Sequence, residues 1–183
     1  MLDPDLEQLL DSCLAFEPAA QRELYKRYAY KMMGVCMRYV RTVPEAEDLL
    51  QDAFVKVFTR LQDFRREGSF EGWVHRIVVT TAIDYFHKQK KSGQQLNLND
   101  AADQTAPDSD AIDKMEAEEV LELINHLPDG CRMVLVLYTV EGYTHGEISE
   151  LLGVKESTSK AQLSKARKTL AALLLQQQNY SRP

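Results

Sequence analysis

The chain has 183 residues and a net charge of −6, with 44% hydrophobic and 27% charged residues, which suits a soluble protein of one ordinary domain or two small ones. No apolar run approaches the ~20 residues of a membrane-spanning helix. The acidic N-terminus lacks the basic flank and apolar stretch of a signal peptide. We therefore expect a cytoplasmic protein without membrane insertion.

The negative charge is unevenly distributed along the chain. Residues 1–23 carry six acidic residues and one arginine, whereas residues 154–183 carry six basic residues and one glutamate. Lys88, Lys90 and Lys91 form a second basic cluster. A chain of this kind can present basic faces to DNA and acidic faces to a protein partner.

Apolar residues recur at helical spacing along the first half of the chain, and no period-2 strand pattern is evident. Thr42 and Glu45 fit a capping box, and Pro44 is tolerated in the first turn of the helix that they begin. The spacing predicts four helices, over 6–14, 24–39, 42–62 and 70–90.

Between Lys91 and Ile112 the helical pattern stops. The segment 92–113 contains five aspartates and no basic residue, and it has few large apolar side chains. Such a segment cannot bury enough surface to offset its ordering entropy. The sequence therefore predicts an all-α fold of two small domains, 1–91 and 113–183, joined by a flexible acidic linker over 92–112.

The second domain carries the signature of a helix-turn-helix. Pro128 can open a helix that Gly142 closes, and Thr144 with Glu147 forms a second capping box. Gly153 can adopt the left-handed conformation that ends this helix and turns the chain.

The helix after this turn has one apolar side and one polar side. Small side chains on the polar side permit close approach to a major groove, and lysines there can reach bases or phosphates. An ordinary solvated basic helix is the alternative interpretation. The residues of the polar side and its flanks are Ser157, Thr158, Lys160, Ala161, Ser164, Lys165 and Lys168.

Features of an enzyme or of a metal protein are not evident. The three cysteines and four histidines are scattered, and neither a phosphate-binding glycine loop nor a catalytic triad spacing is found. We expect no catalytic residue, no metal and no cofactor, and we interpret the cysteines as small buried side chains.

In both domains the sequence resembles the bacterial RNA polymerase sigma factors, specifically the small extracytoplasmic-function class. The resemblance covers roughly residues 20–91 and 120–173 and preserves the order of the motifs. The segments that carry it are Pro44–Phe54, Phe64–Ile77, Leu127–Pro128, Glu141–Thr144, Glu147–Ile148, Leu152–Val154 and Leu163–Arg167. It implies core RNA polymerase and promoter DNA as partners, and an anti-sigma factor as a regulator.

The resemblance also implies roles for individual residues. The helix 42–62 would dock on the polymerase clamp through Glu45, Asp48, Gln51 and Asp52, which periodicity alone would make an ordinary solvated face. The following loop and helix would open and read the downstream promoter element through Phe64, Arg65, Arg66, Arg76, Thr80, His87 and Lys88. Trp73 lies on the apolar face, so core packing is expected for it. The base-contacting positions of the helix-turn-helix, which would read the upstream element, fall on Lys160, Ala161, Ser164 and Lys165.

Three positions depart from the family pattern. Thr80 replaces a frequent asparagine in the pocket for a flipped base, and Ser159 replaces an apolar residue on the buried side of the recognition helix. Gln162 replaces a frequent arginine, which would remove one phosphate contact.

The linker would thread toward the active-site cleft of the polymerase or serve only as a tether. The main alternative function is a conventional helix-turn-helix repressor or activator that is not a polymerase subunit, and an adaptor that binds only proteins is a third.

Overall fold

A computed structural model describes residues 3–91 and 117–180 of the protein, with the side chains of 3–91 and 121–176. Within these ranges the chain forms eight α-helices and one short 3₁₀ helix, and it contains no strand. The predicted all-α fold is confirmed, whereas the predicted linker over 92–112 lies outside the described residues. None of the described helices combines the length and the apolar character that a membrane span requires. The chain divides into two compact units, Met1–Phe86 and His87–Pro183.

The helices of the first unit lie where the apolar spacing predicts them. They are α1 (Pro4–Leu14), α2 (Pro18–Cys36), α3 (Val43–Thr59), the 3₁₀ helix Leu61–Asp63, and α4 (Phe70–Lys91). The Thr42 side chain accepts from the backbone N–H of Glu45, and the Glu45 carboxylate accepts from that of Thr42, so the predicted capping box begins α3. The helix predicted to run to 62 ends at Thr59, and the 3₁₀ turn that follows buries Leu61.

The core of the first unit lies among α2, α3 and α4. Leu24 and Val57 are fully buried, and the rings of Tyr28 and Phe70 join α2 to α4 at a centroid distance of 5.3 Å. Two exposed ion pairs add contacts between the same helices. They are Lys31–Glu71 at 3.0 Å and Lys56–Asp84 at 2.8 Å.

The second unit contains the predicted helix-turn-helix. Its helices are α5 (Ala117–Asn125), α6 (Asp129–Thr139), α7 (His145–Leu152) and α8 (Glu156–Tyr180). Helix α8 packs against the other three helices. The capping box of Thr144 and Glu147 is present, and Gly153 has a φ of 61°, a conformation that glycine adopts without a steric penalty. The turn between α7 and α8 is therefore built as the sequence predicts.

One charged side chain lies in the core of the second unit. Arg132 is 1% exposed, and its Nη2 donates to the backbone carbonyl of Asn125, the last residue of α5, at 3.1 Å. The last carbonyls of a helix have no partner inside the helix, so this arginine satisfies one of them. Arg132 therefore fixes the end of α5 against the start of α6.

Candidate nucleic-acid interface and docking face

The solvent face of α3 carries an acidic patch with one apolar member. Asp48, Gln51 and Asp52 are exposed on successive turns, and within the described ranges they form no hydrogen bond or ion pair. Val55 continues the same stripe one turn further and is 62% exposed. A face that combines carboxylates with an uncovered valine suits a protein partner better than nucleic acid. Sequence analysis missed Val55, although an apolar residue on the polar side of an amphipathic helix is the relevant signal.

Glu45, predicted to belong to this docking face, is occupied by contacts within the protein. Its Oε2 accepts from the backbone N–H groups of Thr42 and Arg41 at 3.0 and 3.2 Å, and its Oε1 accepts from the Tyr85 hydroxyl at 3.3 Å. Burial acts to raise the pKa of Glu45, but the hydrogen bonds from Thr42, Arg41 and Tyr85 outweigh it and hold the pKa below its ordinary value. Glu45 therefore caps α3 at the edge of the docking face.

The loop between the 3₁₀ helix and α4 borders an open cavity of about 410 Å³. Its wall combines an indole ring, two guanidinium groups and two carboxylates. This combination can stack on a planar group and hydrogen-bond its edges. The lining residues are Asp63, Phe64, Arg65, Glu67, Ser69, Gly72, Trp73 and Arg76.

The burial of the two aromatic residues in this wall differs from the prediction. Phe64, expected to be available to a base, is only 8% exposed, and its ring packs edge-on against Phe70 at 5.1 Å. Trp73, expected in the core, is half-exposed and lies 5.5 Å from Phe64 and 5.6 Å from Phe70. The loop folds back so that Phe64 completes the apolar cluster. Trp73 therefore offers more ring surface to the cavity than Phe64 does.

Arg66, predicted to contact DNA, does not line the cavity. Its side chain forms an ion pair with Asp11 of α1, and its φ of 59° places its backbone in the left-handed region. Its neighbours Arg65 and Glu67 line the cavity, so Arg66 extends from the other side of the loop. Arg65 and Arg76 therefore line the same cavity, whereas the side chain of Arg66 lies against α1.

A polar stripe continues from the cavity along α4. Arg76, Thr80 and Lys88 are exposed, and His87 is half-buried in the last turns. Thr80 lies one turn beyond Arg76 and does not line the cavity, and its hydroxyl donates to the backbone carbonyls of Arg76 and Ile77, each at 3.0 Å. Thr80 therefore does not contribute to the wall of this cavity, and its predicted place in the pocket for a flipped base stays a prediction.

The polar side of α8 is accessible, as its spacing predicts. Ser157 and Lys160 are exposed, and the remaining predicted residues are half-buried, namely Thr158, Ala161, Ser164, Lys165 and Lys168. Lys160 pairs with Glu156 one turn earlier at 2.7 Å. Arg167, which sequence analysis did not single out, is exposed on the same flank, with its guanidinium 6.0 Å from the centre of the Tyr138 ring.

Two of the unusual polar residues of α8 face the core and not the surface. Ser159 is fully buried and shares a hydrogen bond of 2.9 Å with Nδ1 of His145 in α7. Gln162 is 4% exposed and accepts from the Cys131 thiol of α6 at 2.7 Å. The Gln162 side chain therefore does not reach solvent, and the prediction that it removes a phosphate contact stays a prediction. Both residues instead join α8 to the other helices of the motif.

Burial disfavours the charged forms of Cys131 and His145 in this cluster. Burial raises the pKa of the Cys131 thiol to about 11, so it remains a hydrogen-bond donor. Burial, together with the nearby charge of Lys160, lowers the pKa of His145, whose ring stacks on Tyr138 at 4.6 Å. Among the described residues no group of three or more His, Cys, Asp or Glu side chains is arranged to hold a metal ion.

Comparison with known proteins matches both units to one family. Residues 24–92 match the model of sigma-70 region 2, and residues 117–170 match that of sigma-70 region 4. A probable RNA polymerase sigma factor, RfaY, of Xanthomonas campestris is 30% identical over 149 residues, 78% of this chain but only 37% of the relative. The sigma-E factor of Escherichia coli, of the extracytoplasmic-function class, is 26% identical over 90% of this chain and 94% of its own length.

A solved structure gives the same fold. The sigma factor RpoE of Bartonella quintana, in complex with the anti-sigma factor NepR, aligns with a TM-score of 0.50 at 17% identity, over 85% of this chain and 96% of that one. The two family matches together cover about two thirds of the sequence, in the order that the family requires. The chain belongs to the sigma-70 family of RNA polymerase sigma factors, in its extracytoplasmic-function class.

Proposed function

We propose that this chain binds core RNA polymerase and directs it to specific promoters. The observation that carries the proposal is the presence in one chain of an uncovered acidic face, an aromatic and basic cavity, and a helix-turn-helix with a basic polar side. Sigma factors are transcription initiation factors without enzymatic activity. We infer that this chain likewise catalyses no reaction and acts in the cytoplasm. Its working parts would be 1–91, a tether over 92–112, and 113–183.

The docking face for polymerase would be the exposed stripe of α3. Asp48, Gln51 and Asp52 offer acceptors to a basic partner helix, and Val55 offers an apolar contact one turn further along the stripe. Glu45 supports this face by fixing the start of α3. The same stripe has no partner within the described part of the chain, so docking would break no internal bond.

The cavity beside α4 would hold an unpaired base of the downstream promoter element. Trp73 supplies a face on which any base can stack, and Arg65 and Arg76 supply donors for base edges or phosphates. From Arg76 the strand would follow Thr80 toward His87 and Lys88. Asp84, which lies on this path, already pairs with Lys56, so its charge opposes the strand less than a free carboxylate would.

The polar side of α8 would read the upstream element as duplex. Ser157, Ala161 and Ser164 are small enough to let the helix approach base edges, and Lys165 and Lys168 flank them. Lys160 would exchange its Glu156 partner for DNA, and Arg167 would contact phosphate beside it. Thr158 would lie at the rim of the contact.

We also infer that the chain is regulated by an anti-sigma partner. The support is the solved relative RpoE, which is bound to the anti-sigma factor NepR. A partner that covers the α3 stripe or the polar side of α8 would block polymerase or promoter binding directly.

Transcription from a promoter library by purified core polymerase, with and without this protein, tests the proposal. We expect initiation at a defined subset of promoters only when the protein is present. A conventional repressor or activator would instead bind specific duplex alone, would not co-purify with core polymerase and would give no promoter-dependent initiation. An adaptor that binds only proteins would not bind DNA and would not promote initiation.

A further inference from the structure

Helix α1 lies outside the part of the chain that matches the family. The family match begins at residue 24, whereas α1 spans Pro4–Leu14. The helix is nonetheless built into the first unit, because it buries Leu6, Leu10 and Cys13 and contacts both α2 and the 3₁₀ turn. Its exposed side is acidic. Helix α1 therefore lies next to the 3₁₀ turn that precedes the loop 64–69, which we call the cavity loop.

The cavity loop is anchored at both ends and at one point between them. At one end Phe64 is buried against Phe70, and at the other the Ser69 hydroxyl accepts from the backbone N–H of Gly72 at 3.2 Å. Between these anchors, Arg65 and Glu67 are exposed and form no hydrogen bond or ion pair within the described ranges. Arg66 alone connects this stretch to the body of the unit, through Asp11.

The contact between Arg66 and Asp11 affects the cavity, because successive side chains of the loop extend to opposite sides. Arg65, Glu67 and Ser69 line the cavity, whereas Arg66 extends to the opposite side, toward α1. A side chain held on one side of a short loop therefore fixes the direction of its neighbours on the other side. The left-handed backbone of Arg66 is unfavourable for arginine, so a free loop would tend to leave this conformation.

We propose that Asp11 is a positioning residue for base selection, which holds Arg66 so that Arg65 and Glu67 keep their places in the cavity wall. This inference rests on the proposed function of the cavity. It assigns to α1, which the family match does not include, a role in promoter specificity. It also makes Arg66 a structural partner of Asp11, in place of the DNA contact that the sequence suggested.

A matched control is available in the same helix. Asp3 forms an ion pair with Arg27 of α2 at 3.4 Å, so it also ties α1 to the unit but lies away from the loop. Asp11→Asn and Asp3→Asn remove one charge each from α1. A third variant, Asp11→Arg with Arg66→Asp, reverses the pair, and aspartate tolerates the left-handed region better than arginine does.

The test compares these variants as holoenzymes with core polymerase, measuring opening of a promoter with its preferred base and of versions with each other base at the cavity position. We expect Asp11→Asn to lower the discrimination ratio about twofold to tenfold, the effect of one lost side-chain contact. Asp3→Asn should leave the ratio unchanged, and the reversed pair should restore it.

Several results would overturn the inference. Equal losses in Asp11→Asn and Asp3→Asn would mean that Asp11 only holds α1 in place. Tighter binding of all sequences by Asp11→Asn, with a steeper salt dependence, would mean that Arg66 contacts phosphate and that Asp11 competes with it. Wild-type protein without promoter-dependent opening would contradict the proposed function itself, which separates that failure from the failure of the inference.

Discussion

Replacing Trp73 with alanine separates base binding from folding at the downstream cavity. The indole is half-exposed, with one side against Phe64 and Phe70 and the other toward the cavity. Removing it therefore withdraws a stacking surface from the ligand while the buried part of the aromatic cluster remains. Phe64 and Phe70, which are 8% and 2% exposed, continue to close the core.

The expected magnitude follows from the geometry. One base stacked on an aromatic side chain contributes about 1–3 kcal/mol, which corresponds to about a fivefold to 150-fold loss of affinity. Trp73→Phe keeps a ring in the same place and should recover most of that loss. Phe64→Ala should behave differently, because truncating a buried phenylalanine costs about 3–5 kcal/mol of the free energy of unfolding.

The assay uses a property of the sequence: Trp73 is the single tryptophan of the 183-residue chain. Fluorescence excited selectively from tryptophan, beyond the absorption of the eight tyrosines, therefore reports on Trp73 alone. We expect single-stranded DNA carrying the downstream element to quench this fluorescence more strongly than the same strand with an abasic residue at the selected position. Binding of the Trp73→Ala variant, which has no tryptophan signal, is measured by anisotropy of labelled DNA.

The control is the unfolding transition, followed by circular dichroism for every variant. The reasoning would be refuted if Trp73→Ala bound the element as tightly as wild type while Phe64→Leu, still folded, lost binding. That result would return the stacking role to Phe64 and place Trp73 in the core, as its helical spacing suggested.

Three further predictions concern the other surfaces. Replacing Asp48, Gln51 and Asp52 together with alanine should weaken polymerase co-purification without changing helicity, since all three are exposed. Lys165→Ala should cost ~1–3 kcal/mol of the binding free energy for the upstream element if the lysine reaches base edges. Arg167→Ala should instead weaken the binding of all duplexes alike and reduce the slope of log affinity against log salt concentration by about one unit. Titrations of both variants at several salt concentrations distinguish the two effects. The pKa of Glu45 is lower in the folded than in the unfolded state, so the ionised carboxylate stabilises the fold. This contribution to the free energy of unfolding is fully present above the pKa of the unfolded chain, ~4.3, and is lost as the pH falls through the pKa of the folded state. The melting-temperature difference between wild type and Glu45→Gln should therefore shrink below about pH 4.

Local sequence chemistry predicted the helices and those of their ends that carry a capping motif. A capping box is a contact between residues three positions apart, so Thr42 with Glu45 and Thr144 with Glu147 could be read from the chain alone. The left-handed Gly153 follows from the same local logic. The exposed faces of α3 and α8 also follow, because helical periodicity assigns each residue to a side.

Contacts that depend on the path of a loop or on a distant helix could not be predicted in this way. Periodicity placed Trp73 on the apolar side of α4, but it gives no information on the path of the preceding loop. That loop folds back onto the aromatic cluster and buries Phe64. Arg66 and Asp11 are 55 positions apart, and no local rule connects them. Gln162 is 4% exposed and bonds to a cysteine of another helix, a contact that no local rule could supply.

The distribution of charge explains why such a protein needs its partner. The acidic stripe of α3 and the acidic side of α1 oppose DNA, while basic groups line the cavity and lie at the end of α4 and along α8. Each DNA-reading element would make few contacts, so we expect each alone to have a low affinity for promoter DNA. A polymerase that engages α3 covers negative charge and presents both elements to one promoter, and two weak contacts on one scaffold become strong through effective concentration. We therefore expect acidity on the docking side and basicity on the reading sides to make promoter binding conditional on polymerase binding.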